Sequence, residues 1–440
     1  MHNCLPSTRY SDALWMATAV SEPQTSALNE SVDCDVAIVG AGITGLNSAL
    51  KLAKAGLSVC VLEKSHLGFG ASGRSGGQVN LGLNLGPSAL LQRYGEQRGR
   101  RLIELVLRTP DTVFKFVKDE DLDCDPIQHG WVQGAINESV AQSQRALVND
   151  YARHGYEFHW LNQSDIEQRT GTSLYGSGIF CDVAGSIHPL SYTRELARVG
   201  IRYGASIYTD SAVTGISRCA DRWQLTTADG EVHASTVLLC TNGYTDSDTG
   251  KATQSMVRKI VPVRSLLVAT EPLPNSLRDT VLPNQVTFVD KRRLILYMRY
   301  DREGRLCVGD HGPMRDTFKP GDFDPVKKRA LRVFPQLRGV RWEYQWGGRV
   351  AMTKSSLPFL HQVSPGLMAG MGYNGRGVGM GTMLGQAMAD AILSKSWQEC
   401  DFPVTHAQSF VFHRLKDIGV AASIRWLSLL DHLDNRKVQI

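Results

Sequence analysis

Glycines 40, 42 and 45, with Thr44 among them, follow the apolar run Val36-Ala37-Ile38-Val39. They lead into a helical pattern carrying Leu46, Ala49, Leu50 and Ala53. A G-x-G-x-x-G spacing at a strand-to-helix turn can hold a pyrophosphate. The first glycine permits the turn, the second admits close backbone approach, and the third lets the helix lie on the sheet. Alone the spacing is a weak signal, equally good for an ordinary glycine-rich turn. Here a second apolar run, Ser58-Val59-Cys60-Val61-Leu62, ends in Glu63, at the distance where an acid meets a ribose hydroxyl. Strand, helix, strand and acid together predict dinucleotide binding.

Two more stretches have the composition of ligand loops. Gly68-Phe69-Gly70-Ala71-Ser72-Gly73-Arg74-Ser75-Gly76-Gly77-Gln78 is too rich in glycine and small hydroxyl residues for a buried helix or strand. Its backbone N–H groups are available to a ligand beside the cofactor strand. Near the other end, Leu367–Met371 reads as a strand entering Gly372-Tyr373-Asn374-Gly375-Arg376-Gly377-Val378-Gly379. A helix with Met383, Leu384, Ala387 and Met388 follows, so this turn presents free N–H donors and the positive end of a helix dipole. A third apolar run, Val237–Cys240, ends at Thr241-Asn242-Gly243 and suits another close approach to the same ligand.

The elements that position these loops occupy a chain of 440 residues, enough for two or three domains. With 42% hydrophobic and 21% charged residues, the composition is that of a globular protein. A net charge of +5 suits an anionic cofactor or substrate, and without basic runs interleaved with aromatics it does not argue for nucleic acid. The densest basic cluster, Lys291-Arg292-Arg293, reads as a solvated strand end. Nine scattered cysteines with no C-x-x-C pair argue against a disulfide framework or a metal site and for a reducing, cytoplasmic setting. No apolar run is long enough to span a bilayer, and no signal peptide is recognisable.

The pattern predicts an α/β chain, with a Rossmann-like strand–helix–strand unit first and, from about 256 to 310, strands that suit an antiparallel sheet. A family likeness carried by the glycine-rich stretches implies that a Rossmann-like cofactor domain is interleaved with a domain built on an antiparallel sheet with helices. Residues 1–31 form an arm, with Tyr10 and Trp15 packing it on the surface. The cofactor domain is expected over 32–100, 176–250 and 341–440, the last including C-terminal helices. The second domain is expected over 101–175 and 251–340. Residues 88–122 read as helical, as do 141–154, 164–169 and 325–333. Strands are expected at Lys259–Thr270, Val286–Asp290, Arg293–Tyr300 and Arg305–Gly309. His188, directly before a proline, reads as structural.

With its glycine-rich stretches at both ends, the chain resembles the FAD-dependent amine oxidoreductases of the D-amino-acid-oxidase superfamily. The matching residues are Val36–Gly45, Glu63, Gly70–Gly77, Val237–Gly243 and Gly372–Gly379. The wording Gly-Ala-Ser-Gly-Arg-x-Gly-Gly and Gly-Tyr-Asn-Gly-x-Gly-Val is similar to the bacterial γ-glutamylputrescine oxidoreductase branch. The resemblance implies FAD, held without a covalent bond, because Ala351 stands where some relatives place a flavin-linked cysteine. It assigns Gly40, Gly42, Ile43 and Thr44 to the pyrophosphate, Glu63 and Lys64 to the adenosine end, and Val213 to adenine. Ala71, Ser72, Gly73, Arg74, Ser75, Gly76, Gly77 and Gln78 would pass along the flavin, with Asn242. Gly372, Asn374, Gly375, Arg376, Gly377 and Val378 would set a helix dipole near the pyrimidine end of its ring.

The implied activity is oxidation of the C–N bond of a small amine or amino acid by hydride transfer to the flavin. γ-Glutamylputrescine or a similar amine fits, as does a cyclic or N-substituted amino acid such as L-pipecolate, or a non-catalytic flavin-binding subunit. No catalytic base is assigned. Tyr297, Arg299 and Arg349 are the candidates to line the substrate end, with Asn80 and Arg74 behind them, and Arg349 ranks first for a carboxylate. Gly379 stands where related sarcosine oxidases carry an oxygen-activating lysine, which implies that oxygen is a poor acceptor. Arg376, close in sequence, is a cation that could serve instead, so the acceptor is read as oxygen or another electron acceptor, and the enzyme as an oxidase or a dehydrogenase.

Overall fold

The computed structural model describes residues 12–246 and 251–437, with the side chains of all but 251, 252 and 432–437. One sheet has the order Phe359–Ser364, Leu367–Met371, Glu231–Leu239, Ser31–Val39, Val59–Leu62, Ser206–Tyr208. Its four central and outer pairings from Leu367–Met371 to Ser206–Tyr208 are parallel. Such a sheet is buried on both faces, which is why its strands are continuous apolar runs. Val36, Ile38 and Val61 face one core, shared with the helices Ile43–Lys54, Pro189–Arg202 and Gly377–Leu393. Ala37, Val39, Cys60 and Leu62 face the other, with Leu225 and Val232. The closeness of helix to strand rests on Gly45, where a Cβ would come within 2.1 Å of the Gly40 carbonyl oxygen.

The second sheet runs Trp342–Met352, Val261–Pro272, Arg305–His311, Leu296–Tyr300, Thr287–Asp290, Trp131–Ala135, Ser177–Cys181, His159–Asn162. It is antiparallel as expected, except that Thr287–Asp290 and Trp131–Ala135 pair in parallel. Asp301-Arg302-Glu303-Gly304 makes the expected hairpin turn, with Gly304 at φ 81°. Helices fall close to expectation at Glu138–Ala152, Gln163–Thr170 and Asp324–Val333.

Three boundaries move. The helical stretch after residue 88 is two helices, Pro87–Leu107 and Thr109–Asp119, with Pro110 opening the second. Leu102, Val106, Val113 and Val117 bury themselves in the core of the first sheet, so residues 101–122 belong to the cofactor unit. Ser177–Cys181 and Trp342–Met352 belong to the second sheet, so the expected boundaries at 176 and 341 each fall one strand early.

The arm also departs from expectation. Tyr10 lies outside the described residues, and Trp15 is fully buried, not on the surface. Its helix, Leu14–Thr18, wedges between the sheets, where the Trp15 indole meets Trp346 edge-on at 5.5 Å and His188 at 4.9 Å. Trp15 Nε1 donates to the Ser75 carbonyl (2.9 Å) and Trp346 Nε1 to the Arg74 carbonyl (3.0 Å). Two indoles therefore brace the glycine-rich loop from behind.

Candidate active site

A cavity of about 1170 Å³ runs between the two sheets. At one end the register Val39↔Leu62 brings Glu63 beside the first glycine turn. Its carboxylate accepts from the Ala41 N–H (2.8 Å) and the Ser65 N–H (3.1 Å). Burial pushes the Glu63 carboxyl above its ordinary range, and the backbone donors oppose that shift. Lys64 and Val213 border the same end, Lys64 pairing with Asp246 at 2.8 Å.

The turn residues Gly40, Gly42, Ile43 and Thr44 form the next stretch of wall, with Ala71, Ser72, Arg74, Ser75, Gly76, Gly77 and Gln78. The Ile43 N–H donates to Ser72 Oγ (3.0 Å), tying the helix N-terminus to the loop. Gly73 does not border the cavity: it is buried behind the loop, where its N–H donates to the Gly68 carbonyl (2.9 Å). Opposite, Asn242, Asn374, Gly375, Arg376, Gly377 and Val378 line the wall. Gly372 does not. Its N–H is taken by Asn242 Oδ1 (2.9 Å), while Asn374 Oδ1 accepts from the Thr353 N–H (2.9 Å). These two asparagines, at φ 45° and 51°, lock the second glycine turn to its neighbours.

The arrangement suits FAD. An acid with a free edge of cavity, two helix N-termini and a backbone-rich loop form a continuous wall around an elongated space. At Gly42 a Cβ would approach Ser72 Oγ to 2.8 Å, so the glycine is required by the wall itself.

Beyond the loop, Tyr297 packs against Gly76, where a Cβ would fall 2.6 Å from Tyr297 Cε2. Tyr297 shares a hydrogen bond with Ser265 (3.0 Å), and burial pushes its phenol up to about 12. Asn80 borders the cavity and donates to Gln78 Oε1 (3.0 Å), leaving its own Oδ1 without a partner.

Arg299, expected beside them, does not reach the cavity. It is 2% exposed, and its guanidinium donates to the carbonyls of Gly76 (2.7 Å), Ile187 (2.9 Å) and Tyr300 (3.1 Å). With the Trp15 ring 4.7 Å away, it anchors the glycine-rich loop from below. Arg349 does border the cavity, but both arms of its fork are on Asp316, at 2.9 and 2.7 Å. Arg264 joins the same carboxylate. Burial acts to raise the Asp316 pKa, and the hydrogen bonds from Arg349 and Arg264 outweigh it and hold the carboxyl below its ordinary range.

Sequence reasoning missed Trp131, Gln133, Lys291 and His311, all of which border the cavity. His311 Nδ1 bonds Asp310 Oδ1 (2.6 Å), and Arg329 Nη1 donates to Asp310 Oδ2 (2.5 Å). The basic cluster is not a solvated strand end. Arg292 pairs with the buried Asp290 (2.7 Å), Arg293 pairs with Asp431 (3.1 Å), and Lys291 faces the cavity. The only advance signal was three consecutive cations at a strand end. His188 is structural as expected: its Nδ1 accepts from the Ser191 N–H (3.1 Å), and burial pushes its pKa down to about 3. Among the described residues no cluster could hold a metal, and no helix is long and apolar enough to cross a membrane.

Residues 35–391 match the model of the DAO family, FAD dependent oxidoreductase. A probable oxidoreductase OrdL of Haemophilus influenzae is 31% identical over 93% of this chain and 94% of its own. A gamma-glutamylputrescine oxidoreductase of Escherichia coli is 29% identical over 88% of this chain and 89% of its own. Among solved structures, glycine oxidase from Geobacillus kaustophilus superposes with a TM-score of 0.71 at 19% identity, covering 86% of this chain and 100% of that one. The last likeness is one of fold.

Proposed function

We propose the following from one premise: this chain belongs to the DAO family of FAD-dependent oxidoreductases. It is an enzyme that uses FAD to oxidise amine or amino-acid substrates. The finer reading is oxidation of a C–N bond in γ-glutamylputrescine or a similar amine. What supports it is the 29% identity to the gamma-glutamylputrescine oxidoreductase, joined to a single cavity that continues from Glu63, past both glycine-rich turns, to a side-chain-lined end at Tyr297, Trp131 and Gln133. Bound there, FAD supplies the two-electron acceptor for hydride from the carbon next to the amine nitrogen.

The residues of the chain bind, orient and exclude water. Glu63 would take the ribose, and the helix N-termini at Gly42 and Gly377 would hold the anionic parts of the cofactor. The Tyr297 ring, packed on Gly76, walls the reacting end on the side of the second sheet. The cofactor is held without a covalent bond. Ala351 occupies the wall position, and Cys240, which also borders the cavity, has its thiol pushed up to about 12 by burial. A protonated thiol is a poor nucleophile. At Gly379 a Cβ would meet Thr109 Cγ2 at 2.6 Å, so no oxygen-activating cation fits that position.

The test is to purify the protein and add candidate amines without air. Bleaching of a yellow protein by γ-glutamylputrescine supports the finer reading, and a yellow protein that no amine bleaches overturns it. Acid precipitation should release all colour to the supernatant. Colour in the pellet contradicts the non-covalent reading, and fast peroxide release in air contradicts an acceptor other than oxygen.

A further inference from the structure

We propose that the C-terminal helix Lys416–Lys437 is a lid over the substrate end of the cavity, closed by a clasp at Asp431, and that its inner face grips the aliphatic chain of the amine. The inference rests on the amine-oxidation reading for what occupies that end.

The helix crosses one edge of the second sheet. Ahead of it, His413 Nε2 donates to the Ile260 carbonyl (2.9 Å), just before Val261–Pro272 begins. At its far end Asp431 accepts from the Leu294 N–H (3.2 Å) and from Arg293 Nη1 (3.1 Å), just before Leu296–Tyr300 begins. The pairings Ser265↔His311 and Tyr297↔Gly309 put those two strand starts at the same end of the sheet. Between its tethers the helix turns Val420, Ser423, Ile424 and Leu427 into the cavity. Steps of three and four residues place them on one helix face. Val263, Ile295 and Tyr297 line the cavity from the sheet, so helix and sheet both present apolar side chains to this end.

Three observations make this wall movable. No residue from Val411 to Asp431 is buried, and none belongs to a hydrophobic core of either sheet. Among the described residues, no side chain from Arg414 to Leu430 bonds the rest of the protein. The bonds present stay inside the helix: Ser423 Oγ donates to the Gly419 carbonyl (2.8 Å), and Lys416 pairs with Asp417 (3.5 Å). The outward face is apolar as well, with Leu415, Ile418, Trp426 and Leu429 exposed.

A helix with apolar groups on both sides gains little by lying one way, so its position depends on the tethers at its ends. A segment with so few buried contacts opens at a small fraction of the cost of global unfolding. An aliphatic chain lying between Ile424, Leu427 and Ile295 buries apolar surface only when the helix is down. That difference between open and closed states is what a ligand needs to shut a lid. The Asp431 clasp is the end beside the substrate, because Arg293, Leu294 and Ile295 all border the cavity.

The experiment uses the FAD-loaded protein without air, with n-hexylamine and n-propylamine as probes, read by titration calorimetry and by hydrogen exchange of the helix amides. The wild-type protein should bind hexylamine at least about tenfold more tightly than propylamine, each fully buried methylene being worth about fourfold. Hexylamine should also slow exchange across the helix. Ile424→Ala and Leu427→Ala should each reduce the affinity ratio at least about threefold, whereas Trp426→Ala, on the outward face, leaves it unchanged. Asp431→Ala should speed exchange in the helix and raise the association rate of hexylamine at least about threefold, with FAD retained. All four positions lie outside the cores, so the variants keep the fold. No hexylamine binding, equal affinity for the two amines, or helix exchange unchanged on binding overturns the lid. So does an Asp431→Ala protein that sheds FAD while hexylamine associates at the wild-type rate, since the helix would then cover the cofactor. None of these readouts needs turnover. Hexylamine bound under the helix with no flavin bleaching by any amine would therefore sink the amine-oxidation reading and leave the lid standing.

Discussion

At the scale of single residues, the second sheet shows how charge is placed next to a cavity without being left bare. Asp310 is 2% exposed and holds two partners at once, the His311 ring on the cavity side and the Arg329 guanidinium on the other. Its Oδ1 also accepts the His311 backbone N–H (2.6 Å). Replacing Asp310 by Asn keeps the shape but leaves Arg329 without its counter-charge. Breaking one side of a buried pair costs about 3–5 kcal/mol. Asp310→Asn should therefore lower the urea midpoint strongly with little change in slope, and a loss below about 1 kcal/mol would show that the Arg329 pair contributes little. Residue types told less here than their partners did. Arg299 and Arg349 share a sheet and both read as anion binders. Backbone carbonyls enclose the first, those of Gly76 and Ile187 from more than a hundred residues away, and a carboxylate 33 residues away occupies the second.

At the scale of elements, the helix Pro189–Arg202 rests on a capping histidine. His188 Nδ1 must carry a lone pair to accept the Ser191 N–H, so the fold needs the ring neutral. Thr18 Oγ1 lies 3.1 Å from its other nitrogen, and the positive charges of Arg299, Arg194 and Arg302 act on the ring. Burial is the larger cause of the drop from 6.5 to about 3, and these cations add to it. The sign follows: below pH 6.5 the unfolded chain takes up a proton that the folded one refuses, so stability falls with pH from about 6.5 towards 3. His188→Asn keeps a capping acceptor without a titrating ring. Its melting temperature should vary less across that window than the wild type's, and an equal slope in both would assign the acid sensitivity elsewhere. Elements defined by neighbours in sequence were legible beforehand. Val36–Gly45, the following helix and Glu63 lie within one strand–helix–strand unit, and the hairpin at Asp301–Gly304 has its turn residues in place. Trp342–Met352 was assigned to the wrong unit because its identity comes from pairing with Val261–Pro272, some eighty residues earlier, which no local pattern records.

At the scale of the molecule, the cavity exists because two sheets with separate cores are held apart at a fixed spacing, and the arm helix takes part in setting it. Ala13, Leu14 and Trp15 are fully buried and pack with Leu190 from one unit and Leu267, Cys307 and Trp346 from the other. Trp15 also holds the Ser75 carbonyl and covers the Arg299 guanidinium, whose own bond runs to Gly76. A segment that reads from sequence as a polar surface arm thus closes the back of the flavin loop. Its burial was not legible because Trp15 is one aromatic in a turn-rich stretch, and its partners lie 60 to 331 residues away (75 − 15 and 346 − 15). Trp15→Ala should cost about 3–5 kcal/mol of stability, the range for emptying a buried tryptophan site. If the brace matters to the cavity, the variant should also lose FAD more readily than its stability loss alone explains. The comparison is with Leu14→Ala, a neighbour in the same cluster that makes no bond to the loop. At equal distance below their melting temperatures, Trp15→Ala should retain less flavin after dialysis than Leu14→Ala. Equal retention in the two would mean that the arm contributes packing only and that Arg299 positions the loop without it.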